Sequence, residues 1–297
     1  MKILLTGGTG FIGRSIINSS FFEGAEFIVL SRNPKEFQQY VNAKVKFIKS
    51  ADEIKPNQKI DAIINLAGEN IAAKRWSFKQ KQELANSRLK ATEEVLRVIS
   101  KLKTKPEILI NASAIGYYGS WADEDITEET TPKENFTHIL CKKWEDLAIR
   151  ANNSFGVRTC IIRLGVVMGW GGALEKMLLP FKLGLGGKIG SGKQYFSWVH
   201  IYDVLGAIRF LIDNKNCESG AYNLTAPNPV NNYEFTKAFG KILNRPTIFP
   251  MPALVVKLLF GEMGETLLLK GQRVLPKKLE EAGYEFKFQN INEALEV

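Results

Sequence analysis

The chain of 297 residues is 45% hydrophobic and carries 40 Lys and Arg against 31 Asp and Glu, a net charge of +9, the make-up of an ordinary globular protein with room for one large or two smaller domains. No apolar run approaches the ~18 residues that cross a bilayer, and the N-terminus runs directly into a strand pattern, so the expectation is a soluble, cytoplasmic protein with no membrane partner. Cys141, Cys160 and Cys217 are far apart, lack Cys-x-x-Cys spacing and have only His138 and His200 to assist them, which argues against a disulfide framework and against any metal site.

The first predicted element, a strand over Lys2–Thr6, feeds straight into Gly7, Gly8, Gly10 and Gly13 and then a helix over Phe11–Phe22. Glycine at these places lets the backbone turn tightly beside a pyrophosphate and lets the helix pack hard on the strand, so that its free N–H groups face the phosphates. The stretch Gly7, Thr9, Gly10, Phe11, Ile12 and Gly13 is therefore the candidate dinucleotide cradle. The second strand, Glu26–Leu30, decides the cofactor. An NAD site usually has an acid after it to hold the ribose 2′-hydroxyl, whereas here Ser31 and Arg32 follow, with no acid before Glu36. A hydroxyl and a guanidinium suit a 2′-phosphate, and the expected cofactor is NADP(H).

Strand patterns at Val45–Lys49, Ala62–Leu66, Ile108–Ala112 and Arg158–Arg163 alternate with helix patterns at Phe78–Lys101 and Asn135–Asn152. This alternation predicts an α/β fold, a Rossmann-type doubly wound parallel sheet with right-handed crossovers. Much of the positive charge lies between Lys74 and Lys105, but it is interleaved with Glu83, Glu93 and Glu94, as on a solvated helix face, so no nucleic acid partner is expected. After Arg163 the chain turns glycine-rich around a short helix near Ala173–Leu183. His200-Ile-Tyr-Asp203 then opens a helix to Asp213, and helical runs follow at Ala253–Phe260 and Val274–Ala282. The division expected is a cofactor domain over 1–165, to which helix 203–213 returns, and a smaller loop-rich substrate-binding region over 166–297 ending in a distinct segment from about 247.

Gly7–Gly13, Asp61–Gly68, Tyr117-Tyr-Gly119, Arg163–Gly169, Trp198–Asp203 and Tyr222-Asn-Leu224 together resemble the extended short-chain dehydrogenase/reductase superfamily of NAD(P)-dependent epimerases and dehydratases. The narrower motifs Asn70–Trp76, Ser87-Arg88, Trp144-Glu145, Gly184–Gly192 and Gly271–Leu279 resemble its bacterial YfcH-like epimerase family proteins, the atypical 39U group. The resemblance implies NADP(H), adds Leu66, Ala67, Gly68 and Arg88 to the cofactor-binding residues, and suggests a homodimer through the helices 78–101 and 135–152.

The superfamily's chemistry uses a Tyr four residues before a Lys, the Lys lowering the phenol's pKa so that it can pass a proton to the substrate oxygen. Here His138 and Ile139 stand four residues before Lys142 and Lys143, and no tyrosine occurs between Tyr118 and Tyr195. The family's Ser/Thr position falls on Ala114, with Ser113 one residue away and within reach if Gly116 causes a bulge. Where several sugar-nucleotide enzymes hold a diphosphate with Arg, this chain has Phe196. Tyr117 and His138 are the remaining candidates for proton transfer, with capping or packing as the alternative for His138, while the resemblance implies that Tyr118 packs. Ser113 would hold the substrate oxygen, and Lys143 would approach the nicotinamide ribose in the family register. Two functions stay open: an oxidoreductase or epimerase-like enzyme acting on a small carbonyl or hydroxyl substrate, and a catalytically silent NADPH-binding sensor or scaffold.

Overall fold

A computed structural model describes residues 1–32, 45–169 and 171–296. Glu36, and Tyr40 with Lys44, lie outside the described residues. The strands in chain order are β1 (Lys2–Thr6), β2 (Glu26–Leu30), β3 (Val45–Ile48), β4 (Ala62–Asn65), β5 (Ile108–Ala114), β6 (Asp125–Ile126), β7 (Arg158–Leu164), β8 (Val166–Met168), β9 (Tyr195–Phe196), β10 (Trp198–His200), β11 (Gly220–Leu224), β12 (Val230–Asn231) and β13 (Arg273–Val274). The helices used below are α1 (Phe11–Ile17), α2 (Phe78–Lys101), α3 (Phe136–Ala148), α4 (Arg150–Phe155), α5 (Ala173–Lys182), α6 (Ile201–Asp213), α7 (Asn232–Ile242) and α8 (Ala253–Gly264).

Seven strands form one parallel sheet in the order β11-β7-β5-β4-β1-β2-β3. Chain order reverses between β1 and β4, which opens a crevice at their carboxyl ends, the place where such sheets take their ligands. The period of two in the strands sorts their side chains. Ile3, Leu5, Ile64 and Ile110 go to one face with α1 and α6, while Leu4, Ile63 and Leu109 go to the other with Val95, Val98 and Ile99 of α2. Each is fully buried and contributes about 1.5–3 kcal/mol of transfer free energy.

The predicted strands appear within two residues of their expected bounds, and α2 matches its own. Three helices differ, each for a local reason. The run from Phe11 ends its α-helix at Ile17, and Ser19 caps a separate 3₁₀ turn, Ser20–Phe22, accepting from the Phe21 N–H. The run from Asn135 breaks at Ile149 into α3 and α4. Val274–Ala282 is not one helix: Arg273–Val274 pairs as a strand, and Pro276, which cannot donate into a preceding turn, precedes a helix confined to Lys277–Glu281. The sequence reading also gave no strand at Gly220–Leu224, which closes one edge of the main sheet, and no helix at Asn232–Ile242. The latter is signalled by a capping box in which Asn231 and Glu234 satisfy each other's backbone N–H groups.

The C-terminal segment is fastened to the sheet domain at two places. The Asp203 carboxylate, buried on α6, accepts from the Lys287 and Phe288 N–H groups at 2.8 and 2.9 Å, and the His200 ring lies 4.1 Å from that of Phe288. The acidic residues 125–129 receive the segment: Asp125 meets Arg273 at 3.0 Å, Glu129 meets Lys277 at 3.0 Å, and Glu128 accepts from the backbone of Asn223 and Lys278.

Burial, reinforced by the Lys287 ammonium, pulls the His200 imidazole down from 6.5 to about 4. The folded state thus holds His200 neutral where the unfolded chain protonates it, and the stability this supplies above pH 6.5 is lost as pH falls toward 4. Burial raises Asp203 and works in the opposite direction. Thermal melts between pH 7 and 4.5 should therefore show a steeper decline for the wild type than for His200→Asn; parallel curves would contradict this assignment.

Candidate active site

The glycine turn after β1 is tight for visible reasons. Gly7 has φ +68° and lies so close to the Leu66–Ala67 peptide that a Cβ on it would sit 2.8 Å from the Leu66 carbonyl carbon. A Cβ on Gly13 would collide with the Gly7 oxygen and lie 2.6 Å from the Gly8 Cα. Gly10 begins α1 without a side-chain cap, so the first N–H groups of the helix, around Phe11 to Gly13, are open toward the crevice. Thr9 is half-buried in the turn. The Phe11 ring lies under Gly169, Gly171 and Gly172 and Ile12 packs toward the core, so these two offer the crevice backbone N–H groups.

Across the crevice, a buried chain of side-chain hydrogen bonds sets the β4 end. Thr6 donates to Asn65 and accepts from the Ala67 N–H, while Asn65 donates to Asn111 at 2.6 Å and to Thr92 at 2.9 Å. Gly68 follows, and a Cβ there would meet the Arg88 side chain at 3.2 Å. Arg88 donates to the Leu84 carbonyl and lies over Trp144, and burial lowers its pKa, so it is a desolvated cation beneath the Leu66–Gly68 loop. At the β2 end Ser31 is half-buried and Arg32 is exposed, its guanidinium without an ion pair or hydrogen bond among the described residues.

The candidate catalytic residues gather at the carboxyl end of β5 without all facing one point. Tyr117 is half-buried in the 3₁₀ turn Ile115–Tyr118; the Arg163 guanidinium lies 3.4 Å from its ring centroid and His138 meets it edge-on at 5.1 Å. His138 Nδ1 is 2.6 Å from the Tyr117 carbonyl oxygen. A carbonyl only accepts, so Nδ1 carries the hydrogen and Nε2 is the acceptor of the neutral ring. Ser113 is buried and its hydroxyl donates to Glu145 at 2.5 Å, which leaves it a structural link. Lys143 is on the exposed side of α3, and the helix turns Thr137, Cys141 and Glu145 toward β5 instead.

Thr137, Cys141 and Glu145 form the i, i+4, i+8 row that marks the inward face of a helix. Thr137 and Cys141 lie opposite Gly116, where a Cβ would be 3.1 Å from Thr137 Cβ and 3.8 Å from Cys141 Sγ. The inward pair at tyrosine–lysine spacing is thus a threonine and a cysteine. Burial pushes the Cys141 thiol up to about 11, so it is neither a thiolate nor a stand-in for the lysine's positive charge.

Glu145 holds Arg163 through two hydrogen bonds of 3.0 and 2.8 Å, and Arg163 donates a third to the Tyr118 hydroxyl at 2.9 Å. Burial works against the Arg163 charge, but the bonds to Glu145 outweigh it and keep its pKa above the ordinary guanidinium range. The Tyr118 phenol donates to Asn223 at 2.6 Å and burial pushes it up to about 12, so Tyr118 packs and anchors. Gln272 closes the loop by donating to the Ile115 carbonyl, so the C-terminal segment holds the turn that carries Tyr117.

The description "NAD dependent epimerase/dehydratase family" matches residues 3–225, and "Domain of unknown function (DUF1731)" matches residues 251–297. The chain belongs to the NAD dependent epimerase/dehydratase family. It is 39% identical to the epimerase family protein YfhF of Bacillus subtilis, over 99% of this chain and 97% of that one. It is 36% identical to the chloroplastic epimerase family protein SDR39U1 homolog of Arabidopsis thaliana, over 99% of this chain and 86% of the relative. Among solved structures it resembles human epimerase family protein SDR39U1 with NADPH, with a TM-score of 0.89 and 34% identity, covering 100% of this chain and 98% of that one. The Bacillus cereus UDP-glucuronic acid 4-epimerase in complex with NAD, at TM-score 0.78 and 17% identity over 100% of this chain and 94% of that one, shares the fold. These likenesses bear out both the extended short-chain dehydrogenase/reductase resemblance and its narrower 39U form.

Proposed function

We propose that this family member binds NADP(H) and uses it on a small carbonyl or hydroxyl compound. The carrying observation is the pairing of an uncapped α1 N-terminus, held against β1 by Gly7 and Gly13, with an exposed Arg32 at the end of β2 that has no partner among the described residues. The first suits a pyrophosphate and the second a 2′-phosphate. The human relative solved with NADPH supports the same reading. Leu66, Ala67, Gly68 and Arg88 would line the far side, the half-buried Arg88 answering ligand charge. Residues 1–165 with helix 203–213 would hold the cofactor and residues 166–297 the substrate.

When bound, NADP(H) supplies or accepts a hydride. The chain would have to move the accompanying proton, and Tyr117 with His138 is the pair nearest that task. Arg163 orients the phenol and His138 Nε2 is the open base. Phe196 lies against Phe235, with ring centroids 4.6 Å apart, which favours a substrate smaller than a nucleotide sugar. The second reading, a cofactor-bound sensor or scaffold, is favoured by one observation: the inward face of α3 offers Thr137 and Cys141 in place of an acid–base pair. Two copies pairing through α2 and α3 would meet on a mixed surface, with Gln82, Glu83, Asn86 and Lys90 exposed beside Phe78 and Ile139.

Arg32→Ala tests the cofactor assignment. NADPH affinity should fall by about 10- to 100-fold, the worth of a charge-assisted contact, while NADH affinity changes little. Equal weakening of both would remove the 2′-phosphate role.

A further inference from the structure

Helix α8 buries Val256 and Met263 and turns Phe260 toward Trp76, Leu84 and Phe136. Its outer side is apolar as well: Leu254 is 78% and Leu258 74% exposed, with Val255 and Leu259 beside them. A surface helix normally fills that side with polar residues. The apolar surface continues beyond the helix. The Gly190 N–H donates to the Met251 carbonyl and Met251 donates to the Lys188 carbonyl, which brings Leu185 and Phe249 into the same neighbourhood. Arg245 Nε donates to the Lys182 carbonyl and joins the end of α5, where Leu183 is exposed.

The charge on this surface is one-sided. Residues 177–202 contain three lysines and no Asp or Glu, and residues 235–261 contain three lysines, one arginine and no Asp or Glu. Two acids at its margin are already engaged, Glu262 by Lys81 at 2.7 Å and Glu265 by Lys257 at 3.5 Å. Exposed apolar patches of this kind mark interaction sites.

We propose that this face docks on an anionic lipid surface, with α8 and the Leu183–Leu185 loop lying in the interface. A two-fold contact with a second copy would set the face against itself, cations on cations with no acids to answer them. Acidic headgroups answer the lysines while the leucines enter the acyl boundary. No helix among the described residues is long and apolar enough to cross a membrane, so the protein would lie on the bilayer.

The test is co-sedimentation of the full chain with vesicles of phosphatidylcholine alone and with equimolar phosphatidylglycerol. Binding to the anionic vesicles should exceed binding to the neutral ones by about tenfold or more and weaken in high salt. Leu254→Asp/Leu258→Asp should abolish it with the melting temperature and near-ultraviolet circular dichroism unchanged, and Lys182→Gln/Lys241→Gln, which changes charge at two exposed positions, should reduce it. No binding to either vesicle, or equal binding to both, overturns the proposal. So does a wild-type dimer in sedimentation velocity that Leu254→Asp/Leu258→Asp separates, which would give the face to a second copy.

Discussion

Glu145→Ala is expected to destabilise the protein by about 3–5 kcal/mol, lowering the melting temperature by roughly 10 °C. The reason is what it leaves behind. Arg163 is 5% exposed, and Glu145 supplies two of the three side-chain hydrogen bonds made by its guanidinium. Without the carboxylate, the buried cation would keep only the Tyr118 hydroxyl and the Tyr117 ring, and Ser113 would lose its acceptor. Removing both charges in Glu145→Leu/Arg163→Met should restore most of the stability, because an apolar pair of similar volume carries no uncompensated charge. A single variant that melts within a degree or two of wild type would mean that the pair is solvated, and the positioning of Tyr117 by Arg163 would lose its support.

Gly13→Ala should act on the other half of the site. The added methyl meets the Gly7 carbonyl and the Gly8 backbone, neither of which can rotate away, so α1 must move from β1. Overpacking of this kind costs about 1–3 kcal/mol, and the same displacement moves the helix N-terminus off the phosphates, weakening NADPH by about 10- to 100-fold. Gly24→Ala is the control: its φ of +74° is strained for alanine, but nothing lies within 4 Å of the new Cβ. It should cost stability and leave NADPH affinity unchanged. Equal loss of affinity in both variants would indicate general destabilisation.

The cofactor half of the site was legible because its physics is local. Gly7, Gly10 and Gly13 sit in a strand–turn–helix of about a dozen residues, and Ser31 and Arg32 are set by the strand before them. The catalytic half was less so, because it depends on which way α3 turns. Spacing alone put Lys142 and Lys143 in play, whereas packing on β5 selects Thr137, Cys141 and Glu145, and a one-residue change in register moves a helical side chain by ~100°. Long-range pairing was likewise out of reach. The clasp of Arg273 and Lys277 on the acidic residues 125–129 joins segments about 150 positions apart, and strand Gly220–Leu224 shows its place only once β7 is beside it. The exclusion of a membrane partner rested on the lack of a spanning run. A short helix with two apolar sides, kinked at Gly261, has no such run and still presents leucines to its surroundings.

The most direct test of the proposed activity is to load the protein with NADPH dideuterated at C4 of the nicotinamide, add a small-molecule extract of the source cell, and follow deuterium by mass spectrometry. The expected result is deuterium in one carbonyl-derived metabolite, reduced or absent with Tyr117→Phe and with His138→Gln. Cofactor that binds tightly and returns with both deuteriums across the whole extract would contradict the enzyme reading and leave a cofactor-bound sensor or scaffold.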